Sequence, residues 1–131
     1  MLAPMLRLLL TTPLALLVLF ALAPAPGRAE VRVDADLDLE EVAECVADSG
    51  AVFYGAWWCP QCRRQNEYFG EHAGALPYVE CYDGARSQGQ NDTCHEAGVR
   101  AYPTWILDDG RQLRGAQSPL KLASATGCLG L

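Results

Sequence analysis

The chain has 131 residues, with 10 basic and 16 acidic side chains and a formal net charge of −6. That length admits one domain and not two. An acidic domain repels nucleic-acid phosphates and anionic lipid headgroups, so neither is expected as a partner.

The N-terminus reads first. From Leu8 to Ala23 the chain is apolar except for Thr11, Thr12 and Pro13, and Arg7 stands just ahead. Pro24, Pro26 and Gly27 follow, then Arg28-Ala29-Glu30. A short positive start, an apolar middle and small residues near an exit make a secretory signal. The expected cut is after Ala29, which makes residues 1–29 the signal peptide and residues 30–131 the domain. The rival reading is a short membrane anchor over residues 8–23, but that run falls short of the ~20 residues a spanning helix needs. Either reading exports the domain, to a periplasm or an equivalent lumenal compartment. Cleavage would remove Arg7 and Arg28 and leave 8 basic and 16 acidic side chains, a net of −8. All six cysteines (Cys45, Cys59, Cys62, Cys81, Cys94 and Cys128) lie beyond the cut. An even count in a small exported domain points to disulfides.

Val31-Arg32-Val33 is predicted as a short edge strand. Leu37 to Ser49 is predicted as a helix, because Leu39, Val42, Ala43 and Val46 recur at i, i+3, i+4 and i+7. Asp36 or Asp38 caps it and Gly50 ends it. Ala51 to Tyr54 reads as a buried strand, and Gly55 to Trp58 as the loop leading into Cys59-Pro60-Gln61-Cys62. A helix follows from Pro60 to about Phe69, closed by Gly70 and Gly74. Tyr78 to Cys81 is a strand, Asp83 to Asn91 a polar surface loop, and Asp92 to Ala97 a short helix. Thr104 to Leu107 and Gln112 to Arg114 are strands joined by the hairpin signal Asp108-Asp109-Gly110. Ser118-Pro119 opens a last helix to about Thr126. Crossover helices imply parallel strands early on, and the Asp-Gly turn implies an antiparallel pair at the end. The expected class is α/β, a mixed central sheet with helices on both faces, in the thioredoxin order.

The cysteine pair at the start of the second helix carries the chemistry. Two intervening residues bring both sulfurs into the first helical turn. The free N–H groups and dipole at a helix N-terminus favour a thiolate on the first. Pro60 suits that turn, because its missing N–H would have no helical partner there. Cys59 is then the exposed nucleophile that forms a mixed disulfide with a substrate. Cys62 is the resolving cysteine that closes the internal bond. The alternatives are a structural bridge or half of a zinc site. Zinc would need two more ligands, nominally from Cys81, Cys94 and His95. No second CxxC is present, and no metal is expected.

The stretch Phe53-Tyr54-Gly55-Ala56-Trp57-Trp58-Cys59-Pro60-Gln61-Cys62 resembles the active-site segment of thioredoxin-like proteins. Further along come Leu76-Pro77-Tyr78-Val79-Glu80-Cys81, Cys94, Tyr102-Pro103-Thr104-Trp105 and Gly115-Ala116-Gln117-Ser118. Together these resemble the thioredoxin-like domain fused to bacterial and plant homologues of vitamin K epoxide reductase, over about residues 37 to 126. No four-helix membrane part accompanies them, so a free-standing version of the soluble half is expected. The resemblance implies that the domain oxidises thiols of exported proteins and passes the electrons to a membrane redox partner of the vitamin K epoxide reductase type. It implies that Pro103 is a cis-proline facing the cysteine pair, exposing backbone of Tyr102 for pairing with a substrate peptide. Trp58, Tyr102 and Thr104 are assigned to substrate binding, with Trp57 beside them; for the aromatics plain packing is the alternative. No flavin or haem motif is present, so no cofactor is expected and the two electrons need an external acceptor.

Two departures from the resemblance stand out. Thioredoxin carries a buried acid on the strand before its cysteines, and Phe53 occupies that place here. Exported oxidases often carry histidine before the second cysteine, and here it is Gln61, which adds no positive charge. The direction of electron flow is therefore open between an oxidase and a reductase or isomerase. A non-catalytic peptide-binding module is the reading from another class.

A Cys81–Cys94 bridge would close the polar loop and contribute on the order of 3 kcal/mol. The resemblance supports that pairing as structural, and a second redox pair relaying electrons is its alternative. Cys45 lies beside the apolar face of the first helix and Cys128 in the tail after the last, and those two helices are expected on opposite faces of the sheet. The simplest expectation is a buried thiol at Cys45 and an intermolecular bridge at Cys128, although the even count favours a pair. His72 and His95 read as surface residues. Asn91-Asp92-Thr93 is a glycosylation sequon.

Overall fold

The computed structural model describes residues 37–130. The signal or anchor segment, its cleavage point and the strand expected at Val31 to Val33 lie outside the described residues.

Helix α1 (Leu39–Asp48) starts where the Asp38 carboxylate accepts the N–H groups of Glu40 and Glu41, at 3.0 and 3.1 Å. Its apolar repeat turns Val42, Ala43 and Val46 inward. Strand β1 (Val52–Gly55) follows, and a loop leads from it into α2 (Pro60–Phe69). A 3-10 segment over Gly70–Ala75 then carries the chain to β2 (Tyr78–Glu80). The remaining elements are α3 (Asp92–Glu96), β3 (Thr104–Ile106), β4 (Gln112–Arg114) and α4 (Pro119–Thr126). Ser118 caps α4 by accepting the N–H of Lys121, with Pro119 in the first turn. Both 3-10 segments, at Gly70–Ala75 and Arg86–Gln88, sit where the sequence signals only helix breakers and loop.

The sheet order is β2-β1-β3-β4. Strands β1 and β2 are parallel, while β1 with β3 and β3 with β4 are antiparallel. The period-2 alternation of strands divides the side chains between two faces. Phe53 and Trp105 point to one face and stack at 4.9 Å between centroids. Tyr54, Val79 and Ile106 pack against a second cluster, that of Cys81, Cys94 and Val99. The first face is covered by α1, α2 and α4, through Val42, Val46, Cys62, Phe69 and Leu122. The second is covered by α3. This is the mixed α/β architecture with helices on both faces that the element order requires.

The division of helices differs from expectation at one point. Helices α1 and α4 lie against one another on the same face. Cys45 and Cys128 are therefore neighbours, joined in a disulfide with 5.9 Å between their Cα atoms. Gly127 makes this possible. At φ +80 it reverses the chain after α4 and lets the Cys128 N–H bond back to the carbonyl of Ala123 at 2.7 Å, a left-handed cap that glycine adopts without steric cost. The buried thiol expected at Cys45 and the outward bridge expected at Cys128 are both replaced by this internal link.

Candidate functional site

Cys59 is itself the N-cap of α2. Its backbone is extended, at φ −78 and ψ 117, and Pro60 begins the helix. An N-cap side chain accepts a free N–H of the first turn. Here the acceptor is sulfur: Cys59 Sγ receives the N–H of Cys62 at 3.2 Å. These two are the free cysteines among the described residues. The expected contrast in exposure is absent, since each is 4 % exposed. Both sulfurs belong to the main core cluster, and Trp58, Tyr82 and Tyr102 pack against it. What separates the two cysteines is their place in the helical turn.

Burial pushes the Cys62 thiol up from 9.0 to about 12. Its contact with Cys59 and the nearby Glu80 carboxylate add to the rise. Cys62 thus holds its proton at neutral pH, while one backbone N–H, that of Cys62, meets the Cys59 sulfur.

The wall beside the pair is aromatic. Trp58, Tyr82 and Tyr102 meet edge to face in all three pairings, with centroids 5.3 to 5.9 Å apart. The Arg86 guanidinium lies 3.9 Å from the centre of the Trp58 ring, within cation–π range. Trp57 is exposed, and its indole N–H donates to the carbonyl of Gly84 at 3.2 Å. The Tyr102 hydroxyl donates to Gln90 Oε1 at 2.7 Å. The Tyr102–Pro103 bond is cis. Thr104 does not join this wall, because its side chain is fully buried and its hydroxyl donates to the Ala101 carbonyl at 2.7 Å. It closes the turn into β3 and offers a substrate no free hydroxyl.

Cys81 and Cys94 form a disulfide that closes the loop carrying Gly84, Arg86 and Gln90. Both sulfurs are fully buried, so an exchanging thiol cannot reach the bridge unless the loop opens. The zinc set named from the sequence is not assembled, since Cys81 and Cys94 are bonded to one another. The sequon residue Asn91 caps α3 by accepting the Cys94 N–H, and its amide donates to the Glu80 carbonyl and to Asp83. A glycan on that nitrogen would remove one of the two donated bonds.

Three further groups at the site have no role assigned from the sequence. Gln65, one turn beyond Cys62, is fully buried. Its Oε1 accepts the Trp105 indole N–H at 3.0 Å and the Gln117 N–H at 2.8 Å, and its Nε2 donates to the Gln117 carbonyl at 3.0 Å. This tether ties the active-turn helix to β3 and to the segment before α4. Glu80 is the second: Oε1 accepts the N–H groups of Trp57 and Tyr82, and Oε2 accepts the Tyr78 hydroxyl at 2.6 Å. Arg86 is the third. The spacing Cys62, Gln65, Phe69 places Gln65 on the buried face of α2, and that was the available clue.

No family model matches the chain. The thiol-disulfide oxidoreductase LTO1 of Arabidopsis thaliana is 41 % identical over 81 residues, which is 60 % of this chain and 21 % of that protein. The chain thus spans about a fifth of the length of this relative. A thiol–disulfide oxidoreductase is therefore among its homologues, and the cysteine pair at the head of α2 suits redox chemistry.

Proposed function

We propose that the chain is an exported thiol–disulfide oxidoreductase that oxidises protein thiols through Cys59 and Cys62. The observation that carries this reading is the Cys62 N–H bond to Cys59 Sγ at the first turn of α2. It gives the Cys59 sulfur a backbone donor at the helix head, while burial keeps the proton on Cys62. The similarity to a protein named for this activity supports the same reading.

In the oxidising direction a substrate thiolate attacks Cys59 Sγ of the Cys59–Cys62 disulfide. That bond breaks, and Cys62 leaves with the electron pair and takes a proton. A second substrate thiolate then attacks the substrate sulfur of the mixed disulfide and releases Cys59. The substrate gains one disulfide, and the protein now carries two electrons as a dithiol. Pro103, Trp58 and Tyr102 would frame the bound peptide. A membrane redox protein of the vitamin K epoxide reductase type, with a disulfide of its own, would take the electrons onward.

A reductase or isomerase is the second reading, and it rests on Gln61. That side chain is exposed and neutral, so no cation between the cysteines stabilises the reduced pair. The deciding experiment is reconstitution with such a membrane enzyme and quinone, following reoxidation of the dithiol. Reoxidation well above the rate in air supports the oxidase. A rate equal to that in air removes this partner and favours the reductase.

A further inference from the structure

Closure of the Cys59–Cys62 bond requires Cys62 to lose its proton, and its opening requires Cys62 to regain one. The strand before the pair offers no carboxylate: Phe53 is fully buried, stacked on Trp105 and edge-on to Tyr78 at 5.0 Å. The acid stands on the neighbouring strand. In the parallel register Tyr78 lies opposite Phe53, and Glu80 opposite Gly55. Residues 78 and 80 share a face of β2, and the contact of Tyr78 with Phe53 makes it the face of the cysteine pair.

Gly55 is the meeting point. A Cβ there would come within 2.6 Å of the Tyr78 ring, 3.3 Å of its hydroxyl and 3.2 Å of Cys62 Sγ. Cys62 sulfur and the Tyr78 hydroxyl therefore flank one small space that only glycine leaves open. Tyr78 passes its hydroxyl hydrogen to Glu80 Oε2 at 2.6 Å. Glu80 is half-exposed and can exchange a proton with water.

Resting on the proposed redox role, we infer that Tyr78 and Glu80 form the proton path of Cys62. When Cys62 attacks a mixed disulfide on Cys59, its S–H proton moves to the Tyr78 oxygen as the Tyr78 proton moves to Glu80. The sulfur electron pair forms the bond to Cys59, the bond from Cys59 to the partner sulfur breaks, and the partner leaves as a thiolate. Glu80 then gives its proton to water. In the oxidising direction the same path runs backwards. The other titratable groups acting on this spot are Cys59 at the head of α2 and Tyr102 in the turn before β3.

The test uses the reduced protein and dithiobis(nitrobenzoate). The first release of coloured thiolate reports attack by Cys59, and the second reports closure by Cys62. Glu80→Gln keeps an acceptor for the Trp57 and Tyr82 N–H groups but cannot take a proton. At neutral pH it should slow the second release by about 100-fold or more, the scale of general base catalysis, and leave the first within about 2-fold. Tyr78→Phe should act the same way, and for both variants the gap should narrow as pH rises. Were Glu80 only a negative charge, its removal would ease ionisation of Cys62 and speed the second release. A faster or unchanged second release in either variant overturns the proton path. A wild-type protein with no second release overturns the redox role itself, so the two failures are distinct.

Discussion

The backbone N–H of Cys62 donates to the sulfur of Cys59 across 3.2 Å. The same turn thus serves one cysteine as a donor and buries the other as a protonated thiol. The two sulfurs are equally buried, and what distinguishes them is this bond, which places Cys59 Sγ as the acceptor at the head of α2.

The first prediction concerns those roles. Cys62→Ala should trap mixed disulfides between Cys59 and reduced unfolded proteins, visible as reductant-sensitive bands on non-reducing gels. Cys59→Ala should trap none. Trapping in the Cys59 variant would reverse the assignment.

The second concerns pH. Burial raises Cys62 from 9.0 to about 12. A raised group stabilises the folded dithiol fully below 9.0, and that stability is lost as pH rises towards about 12. In the potential, each proton taken on reduction contributes about 30 mV per pH unit for a two-electron couple. The slope should therefore change once, where the first thiol ionises, and then hold at about 30 mV per pH unit up to at least about pH 10. A second change of slope below that pH would show that Cys62 ionises as an ordinary thiol.

The element order from α1 onward and the mixed sheet were legible because they rest on local signals: helical periodicity, the Asp-Gly turn, and caps at Asp38 and Ser118. Cys45–Cys128 was not, because periodicity shows which face of a helix is buried but not which side of the sheet that helix takes. Cys59 looked exposed because a helix terminus usually is, whereas Trp58, Tyr82 and Tyr102 pack against the cluster that holds this one. Gln65 and Glu80 were silent for a similar reason. A glutamine or a glutamate reads as a surface residue until the chain brings Trp105, Gln117 or Tyr78 to it.

A third prediction follows from the two structural disulfides. The Cys45–Cys128 bridge spans a sequence separation of 83, and Cys81–Cys94 one of 13. Loop entropy assigns about 4.5 and about 3 kcal/mol to them. Replacing Cys45 and Cys128 together by Ser should therefore lower denaturant stability more than replacing Cys81 and Cys94. Mild reductant should open Cys59–Cys62 before either, as mass mapping can check. Earlier opening of Cys81–Cys94 would make that pair an electron relay.

A fourth concerns Gln65. Gln65→Met keeps the volume but leaves the Trp105 indole N–H and the Gln117 N–H and carbonyl unpaired. The expected loss is about 3 kcal/mol or more, since three buried groups are orphaned and each costs at least about 1. Denaturant midpoints measure it. A loss below about 1 kcal/mol would show that these groups find other partners.

Disulfide exchange through Cys59 and Cys62 is the activity proposed for this protein. It is tested most directly by mixing the oxidised protein with a reduced, unfolded substrate and mapping every disulfide by mass after quenching with acid. One new substrate disulfide should appear for each Cys59–Cys62 bond lost, with Cys45–Cys128 and Cys81–Cys94 intact. No transfer, or transfer that consumes either of the other two bridges while Cys59–Cys62 survives, would contradict it.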